Sequence, residues 1–240
     1  MLFRSETLPR HNLPTPNYTN FIGRQQELAQ LLQLLSKNCP YHRIIIQGTD
    51  GIGKTSLILE AAYRCLHSQP TFGAIIFTSA RESHLTCAGI ETWLQRESTL
   101  EEIWEAIART LNCLDEEAAQ PDFRTQLRCI LEKLRQQETL LILDNLETVV
   151  EIDRLRSFIY CLPSTVKVAI TTRQEVLLDA ATTLHLQPPL IEDALYQLRH
   201  LSAEKRVTLT DEQCQSVLQK TRGIPAAIVH TVGQLASNIN

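Results

Sequence analysis

The readable part of the chain opens with helical spacing. Leu28, Leu31, Leu32 and Leu35 fall at i, i+3, i+4 and i+7, one face of a helix that Cys39-Pro40 ends. Ile44-Ile45-Ile46 is a short β-branched run bounded by polar residues and then Gly48, the pattern of a parallel strand buried on both faces. After the glycines a second helix carries Leu57, Ile58, Ala61, Ala62 and Cys65 on one broad face. Ala74 to Thr78 is the next strand. Residues 81–98 have no clear period and are expected to be loop with some helix. Ser98 and Glu101 have capping-box spacing, and Leu100, Ile103, Trp104, Ile107, Ala108 and Leu111 form the stripe of the helix they would start. Leu127, Ile130, Leu131 and Leu134 mark another helix. Leu140-Leu141-Ile142-Leu143-Asp144 reads as a buried strand ending in an acid. A helix is expected through roughly 149–160, a fourth strand from Val166 to Thr171, and a weak fifth from Thr183 to Leu186.

After Pro188-Pro189 the strands stop. Helices are expected at 191–202, 211–222 and 225–237, with Thr210 and Gln213 as a second capping box. Gly223 suits a helix C-terminus and Pro225 the first turn of the next helix. The alternation before this point predicts an α/β fold, a three-layer αβα sandwich with about five parallel strands, followed by a small all-α lid subdomain. The chain then divides into an extended arm or linker at 1–20, which holds three of the ten prolines, a core at 21–188 and a helical lid at 189–240.

The bulk composition removes several classes of function. A net charge of −4 gives no field to draw the whole molecule to nucleic acid or an anionic membrane. Aromatic content of 5% without basic-aromatic interleaving offers no base-stacking surface, so nucleic-acid binding through this domain is not expected. Seven cysteines, an odd number with no C-x-x-C pair, read as reduced thiols packed among apolar residues. Neither a signal peptide nor an apolar run of roughly 20 residues is visible, which predicts a cytoplasmic protein without a membrane span.

The strongest chemical signal is Gly48-Thr49-Asp50-Gly51-Ile52-Gly53-Lys54-Thr55, the spacing G-x-x-x-x-G-K-[ST] of a P-loop. Three of the eight glycines crowd into six positions. The four fixed positions would match by chance in about 1% of random chains this long. Glycine lets the loop turn and lets backbone N–H groups approach phosphate oxygens, and the following helix offers its positive end. Lys54 is expected to reach the β- and γ-phosphates, and the Thr55 hydroxyl, at the start of a helix with Ser56, to ligate Mg²⁺. Asp144 at the carboxyl end of a parallel strand faces the same crevice and is the second expected Mg²⁺ ligand. Asn145 follows where a carboxylate would activate water; an amide positions water without accepting its proton, so slow hydrolysis is predicted. Val168-Ala169-Ile170-Thr171-Thr172-Arg173 ends a strand in two hydroxyls and a guanidinium that can fork onto a γ-phosphate.

Phe21-Ile22-Gly23-Arg24, the P-loop, Leu140 to Asn145, Ile170 to Arg173 and Gly223-Ile224-Pro225 occur in this order. The order resembles the STAND class of P-loop NTPases in its NB-ARC or AP-ATPase branch. The resemblance implies that Phe21, Ile22, Gly23 and Arg24 line the adenine and ribose, that Arg173 senses the γ-phosphate, and that Pro225 packs on the adenine from the lid. It also implies the fourth strand beside the P-loop strand, ATP or ADP with Mg²⁺ as ligands, and a signalling switch that self-associates with ATP. The family continues into a winged-helix domain and sensor repeats, which here would be missing or supplied by separate partners. A DNA-associated AAA+ ATPase, a metabolic phosphotransferase and a stand-alone nucleotide-binding scaffold are the alternatives.

Overall fold

The computed structural model describes residues 9–16, 18, 20–67, 71–80, 83–86, 89–92, 99–113, 123–149 and 151–237. Its elements are β1 (Arg10–His11), α1 (Gln25–Leu35), β2 (Arg43–Gln47), α2 (Lys54–His67), β3 (Ala74–Ser79), β4 (Ser83–Thr86), β5 (Gly89–Thr92), α3 (Leu100–Thr110), α4 (Phe123–Gln136), β6 (Thr139–Asp144), α5 (Ile152–Cys161), β7 (Val166–Thr172), β8 (Ala181–His185), α6 (Ile191–Glu204), α7 (Asp211–Thr221) and α8 (Pro225–Ser237). Six strands form one sheet in the order β1-β3-β6-β7-β2-β8, every neighbouring pair parallel. This is the α/β P-loop NTPase fold with helices at its C-terminal end.

Strand alternation builds two cores. Ile45, Leu141, Leu143, Val168 and Ile170 point to one face, against α3, α4 and α5. Ile44, Ile46, Leu140, Ile142 and Ala169 point to the other, against α1 and α2. Because side chains alternate with period two, a run such as Leu-Leu-Ile-Leu feeds both layers at once, and that is why the middle of β2 and of β6 is apolar at every position. α6, α7 and α8 close on a third, separate cluster around Ala194, Leu198, Val217, Leu218, Ile228 and Val232.

Parallel pairing brings the carboxyl ends of the strands to one edge. Gln47 lies level with Thr172, and Ser79 with Asp144. The P-loop, Asp144 and Arg173 therefore meet at that edge, with β7 between β2 and β6 as the family order implies.

Four local readings change. The arm supplies a sixth strand: β1 pairs with β3, and the Asn12 side chain continues the ladder by donating to Phe77 O at 2.8 Å and accepting from Phe77 N at 2.7 Å. Residues 83–86 and 89–92, expected as loop with some helix, pair as the antiparallel strands β4 and β5. Ser98 lies outside the described residues; the α3 cap is Thr99, whose hydroxyl and Glu102 form the reciprocal capping box. A 3-10 turn at Leu146–Thr148 precedes α5, so that helix starts at Ile152. The Thr210 and Gln213 box forms as the spacing predicts.

One buried charge ties the layers. Lys167 on β7 donates to the carbonyls of Leu34, Cys39 and Tyr41 at 3.1, 3.0 and 2.9 Å, satisfying the end of α1 and the turn after it. Six free cysteines fall among the described residues, and Cys87 lies outside them. No helix among the described residues is long and apolar enough to cross a membrane.

Candidate functional site

The loop between β2 and α2 turns through Gly51 at φ +70° and Gly53 at φ +102°, a backbone that an L side chain resists. Lys54 opens α2, and its buried ammonium donates to Gly48 O at 2.9 Å and Thr49 O at 3.0 Å, curling under the loop. From behind, Arg24 donates through Nη2 to Ile52 O at 3.0 Å and Gln187 O at 2.8 Å, while Nη1 pairs with Glu27 at 2.9 Å. Arg24 sits at φ +54° ahead of α1, and this turn swings its side chain toward the loop. Its guanidinium thus braces the P-loop backbone, and Arg24 also borders the cleft.

Asp144 is 2% exposed. Its Oδ1 accepts from Thr55 Oγ1 at 2.7 Å and Thr171 Oγ1 at 2.6 Å, and its Oδ2 accepts from Ser79 Oγ at 3.0 Å. The Thr171 hydroxyl in turn accepts from Asn145 N at 2.9 Å. The three donors to this buried carboxylate are all side-chain hydroxyls. A carboxylate beside a threonine hydroxyl is an oxygen donor pair that suits a small hard dication such as Mg²⁺. Asn145 takes the left-handed conformation at φ +63° and anchors its amide to Thr148 Oγ1 at 3.0 Å.

Arg173 follows β7 and is held by two acids. Glu147 accepts from its backbone N at 3.2 Å and from Nε at 2.6 Å; Asp50 of the P-loop accepts from Nη1 at 2.6 Å. The hydrogen bonds to Glu147, foremost, and to Asp50 hold the guanidinium pKa above its already high range.

A cleft of about 390 Å³ lies over the loop, within the size range of small-ligand sites. Of the predicted residues, Phe21, Ile22, Arg24, Asp50, Gly51, Ile52, Gly53, Lys54, Thr55, Ser56 and Pro225 line it. Gly23, Gly48, Thr49, Asp144 and Arg173 do not, though Asp144 joins through Thr55 and Arg173 through Asp50. Beyond the expected set, Asn145 and, from α8, Ala226 and Val229 also line the cleft, and two further groups join them. Pro16, Tyr18 and Asn20 reach the cleft from the arm. Gln197, His200, Leu201 and Glu204 reach it from α6, at i, i+3, i+4 and i+7, so their shared face is a readable signal.

The helical subdomain touches the loop directly. Ala226 N, in the first turn of α8, donates to Gly51 O at 3.1 Å, and a Cβ placed on Gly51 would stand 2.7 Å from Ala226 Cβ. A Cβ on Gly23 would similarly meet the Asp193 carboxyl at 2.9 Å.

Comparison with known proteins agrees with this geometry. The chain is 31% identical over 170 residues to the transcription activator GutR of Bacillus subtilis (strain 168); the match takes in 69% of the chain and 19% of GutR, so the chain spans about a fifth of that relative. The Walker-type ATPase of Pyrococcus abyssi superposes with a TM-score of 0.63 at 16% identity, covering 95% of this chain and 71% of that one. A STAND protein with a tetratricopeptide repeat sensor from Pyrococcus horikoshii superposes with a TM-score of 0.52 at 18% identity, covering 88% and 29% respectively. These structural likenesses concern the fold. The AAA ATPase domain description matches residues 20–167, more than half of the chain, which therefore belongs to the AAA ATPase domain family of P-loop ATPases.

Proposed function

We propose that the cleft holds ATP or ADP with Mg²⁺ and that the chain is a nucleotide-controlled signalling switch with slow hydrolysis. The observation that carries this reading is the hydrogen bond from Ala226 to Gly51: the lid is fastened to the phosphate loop beside the cleft that both line, so ligand and lid position are linked. In this reading Lys54 leaves the Gly48 and Thr49 carbonyls for the β- and γ-phosphates, while loop N–H groups from Asp50 to Thr55 and the α2 N-terminus hold the rest. Thr55 and Asp144 hold the dication, which neutralises phosphate charge when bound. Phe21, Ile22 and Pro225 sandwich the adenine, with Gln197, His200 and Glu204 as polar groups at its rim. Arg173 reads the γ-phosphate.

Slow turnover follows from the acids available. Asn145 cannot accept a proton, and Glu147 is engaged by Arg173 rather than free to activate water. Such a rate suits a timer. GutR is a transcription activator of which the matched segment makes up 19%, which supports a regulatory role; a cytoplasmic location and self-association in the ATP form complete the proposal.

The test is to denature purified protein and chromatograph the nucleotide released. Near-stoichiometric ADP in the wild type and none in Lys54→Ala is the expected result. An empty wild type that turns ATP over quickly would sink the switch and favour a DNA-associated AAA+ motor.

A further inference from the structure

Arg173 is gripped unequally by its two acids. The Glu147 carboxylate takes both the backbone N–H and Nε of Arg173, and the Glu147 side chain is only 3% exposed. That end of the arginine is fixed. The other end is not: the Arg173 side chain is 42% exposed, and Nη1 crosses open surface to Asp50, which is 65% exposed. Asp50 sits inside the phosphate loop, two residues after Gly48, and lines the cleft.

We propose that Asp50 is a built-in rival of the γ-phosphate for Arg173, that Glu147 positions Arg173 for either partner, and that this exchange biases the site toward the diphosphate. The proposal rests on the reading of Arg173 given above. Two effects of Asp50 share a sign. A triphosphate must displace its carboxylate from Nη1 before the guanidinium is available. The displaced carboxylate then remains beside a ligand with one more negative charge than the diphosphate, and like charges at that distance repel. A diphosphate leaves the Asp50–Arg173 pair intact and meets only the weaker repulsion. The pair is exposed, so neither effect is large, but both act on one ligand and add.

Isothermal titration calorimetry of the full chain with Mg-ATPγS and with Mg-ADP tests this on wild type, Asp50→Asn, Arg173→Ala, the double variant and Glu147→Gln. Asp50→Asn is isosteric at an exposed position, so folding is not at stake. It should bind ATPγS about fivefold more tightly, with ADP affinity changed by less than about twofold. Arg173→Ala should weaken ATPγS about tenfold or more and spare ADP. In the double variant the Asp50→Asn gain should be smaller, because the contested arginine is gone and only the repulsion between Asp50 and the triphosphate is left to relieve. Glu147→Gln should lower the ATPγS-to-ADP preference at unchanged ADP affinity, which a merely structural role would not do. The Asp50→Asn gain should also shrink as salt is raised.

The outcomes separate the two layers. If Arg173→Ala changes the triphosphate preference but Asp50→Asn does not, the proposal fails and the Arg173 reading stands. If the Asp50→Asn gain survives in full without Arg173, Asp50 acts through its field alone and the competition is refuted. If Arg173→Ala leaves the preference unchanged, the reading of Arg173 itself is wrong.

Discussion

Gly51→Ala tests how the lid is held. The new methyl would lie 2.7 Å from Ala226 Cβ, against roughly 3.5–4.0 Å for carbon atoms in good contact, so one side must give by about 1 Å. Backbone strain at φ +70° adds roughly 1–2 kcal/mol for an L residue, but it is paid whether the lid is docked or open and drops out of that comparison. What differs is the Ala226 to Gly51 hydrogen bond, about 1 kcal/mol, together with the packing around it. A shift of about 1–2 kcal/mol toward the open lid corresponds to roughly 5–30-fold in population. Hydrogen exchange at the Ala226 amide reads this directly, and its protection should fall by that factor. The double variant Gly51→Ala with Ala226→Gly is the sharper arm. Without the Ala226 methyl, the nearest remaining atoms to the new Cβ are Ile224 Cγ2 at 3.4 Å and Ala226 Cα at 3.8 Å, ordinary contacts. Protection should return to the level of Ala226→Gly alone, even though the strain at residue 51 persists. Unaltered protection in Gly51→Ala, or no recovery in the double variant, would refute the close approach as the lid's fastening.

Three further changes have defined outcomes. Asp144→Asn should abolish the tightening of nucleotide binding by Mg²⁺, read as equal Kd values with the metal and with chelator. Lys167→Met orphans three carbonyls and should cost about 2–4 kcal/mol in urea denaturation. Burial lowers the Lys167 pKa from 10.5, so the folded state binds fewer protons than the unfolded one above that lowered value; wild type should gain stability relative to Lys167→Met as pH climbs toward 10.5, and a falling difference would contradict the sign. Asn12→Ala removes both side-chain bonds to Phe77 and should lose about 1–2 kcal/mol along with amide protection at Phe77, while β6 and β7 stay protected.

Much of the fold is legible for a physical reason. A central parallel strand is apolar on both faces, so Ile44 to Ile46, Leu140 to Leu143 and Val168 to Ile170 announce themselves. The phosphate loop is readable because its backbone demands glycine at fixed steps. β1 is not: Arg10 and His11 are exposed, and the segment is held by sheet-edge pairing and by an amide imitating backbone, neither of which leaves a hydrophobic period. The α3 cap falls one residue later than its spacing suggests because Ser98-Thr99 and Glu101-Glu102 offer two equivalent boxes. Gln197, His200, Leu201 and Glu204 read as a solvated helix face until the P-loop and α8 stand opposite them. Glu147 carries no pattern of its own, and only the fold reveals that it is tied to Arg173.

The place of β7 in the sheet has a consequence for how the molecule assembles. β7 comes late in the chain yet lies between β6 and β2, the strands that end at Asp144 and open into the P-loop. Until it inserts, β6 and β2 have no hydrogen-bonded link across the slot that β7 fills, about 4.8 Å from each, and neither Thr171 nor Arg173 is present. The stretch matched to the family ends at residue 167, at the very start of β7, so a chain cut there would keep the phosphate loop while losing the strand that brings it to Asp144. Nucleotide should therefore bind late in folding and report on the whole core, with each tenfold excess of ligand over Kd adding about 1.4 kcal/mol to global stability.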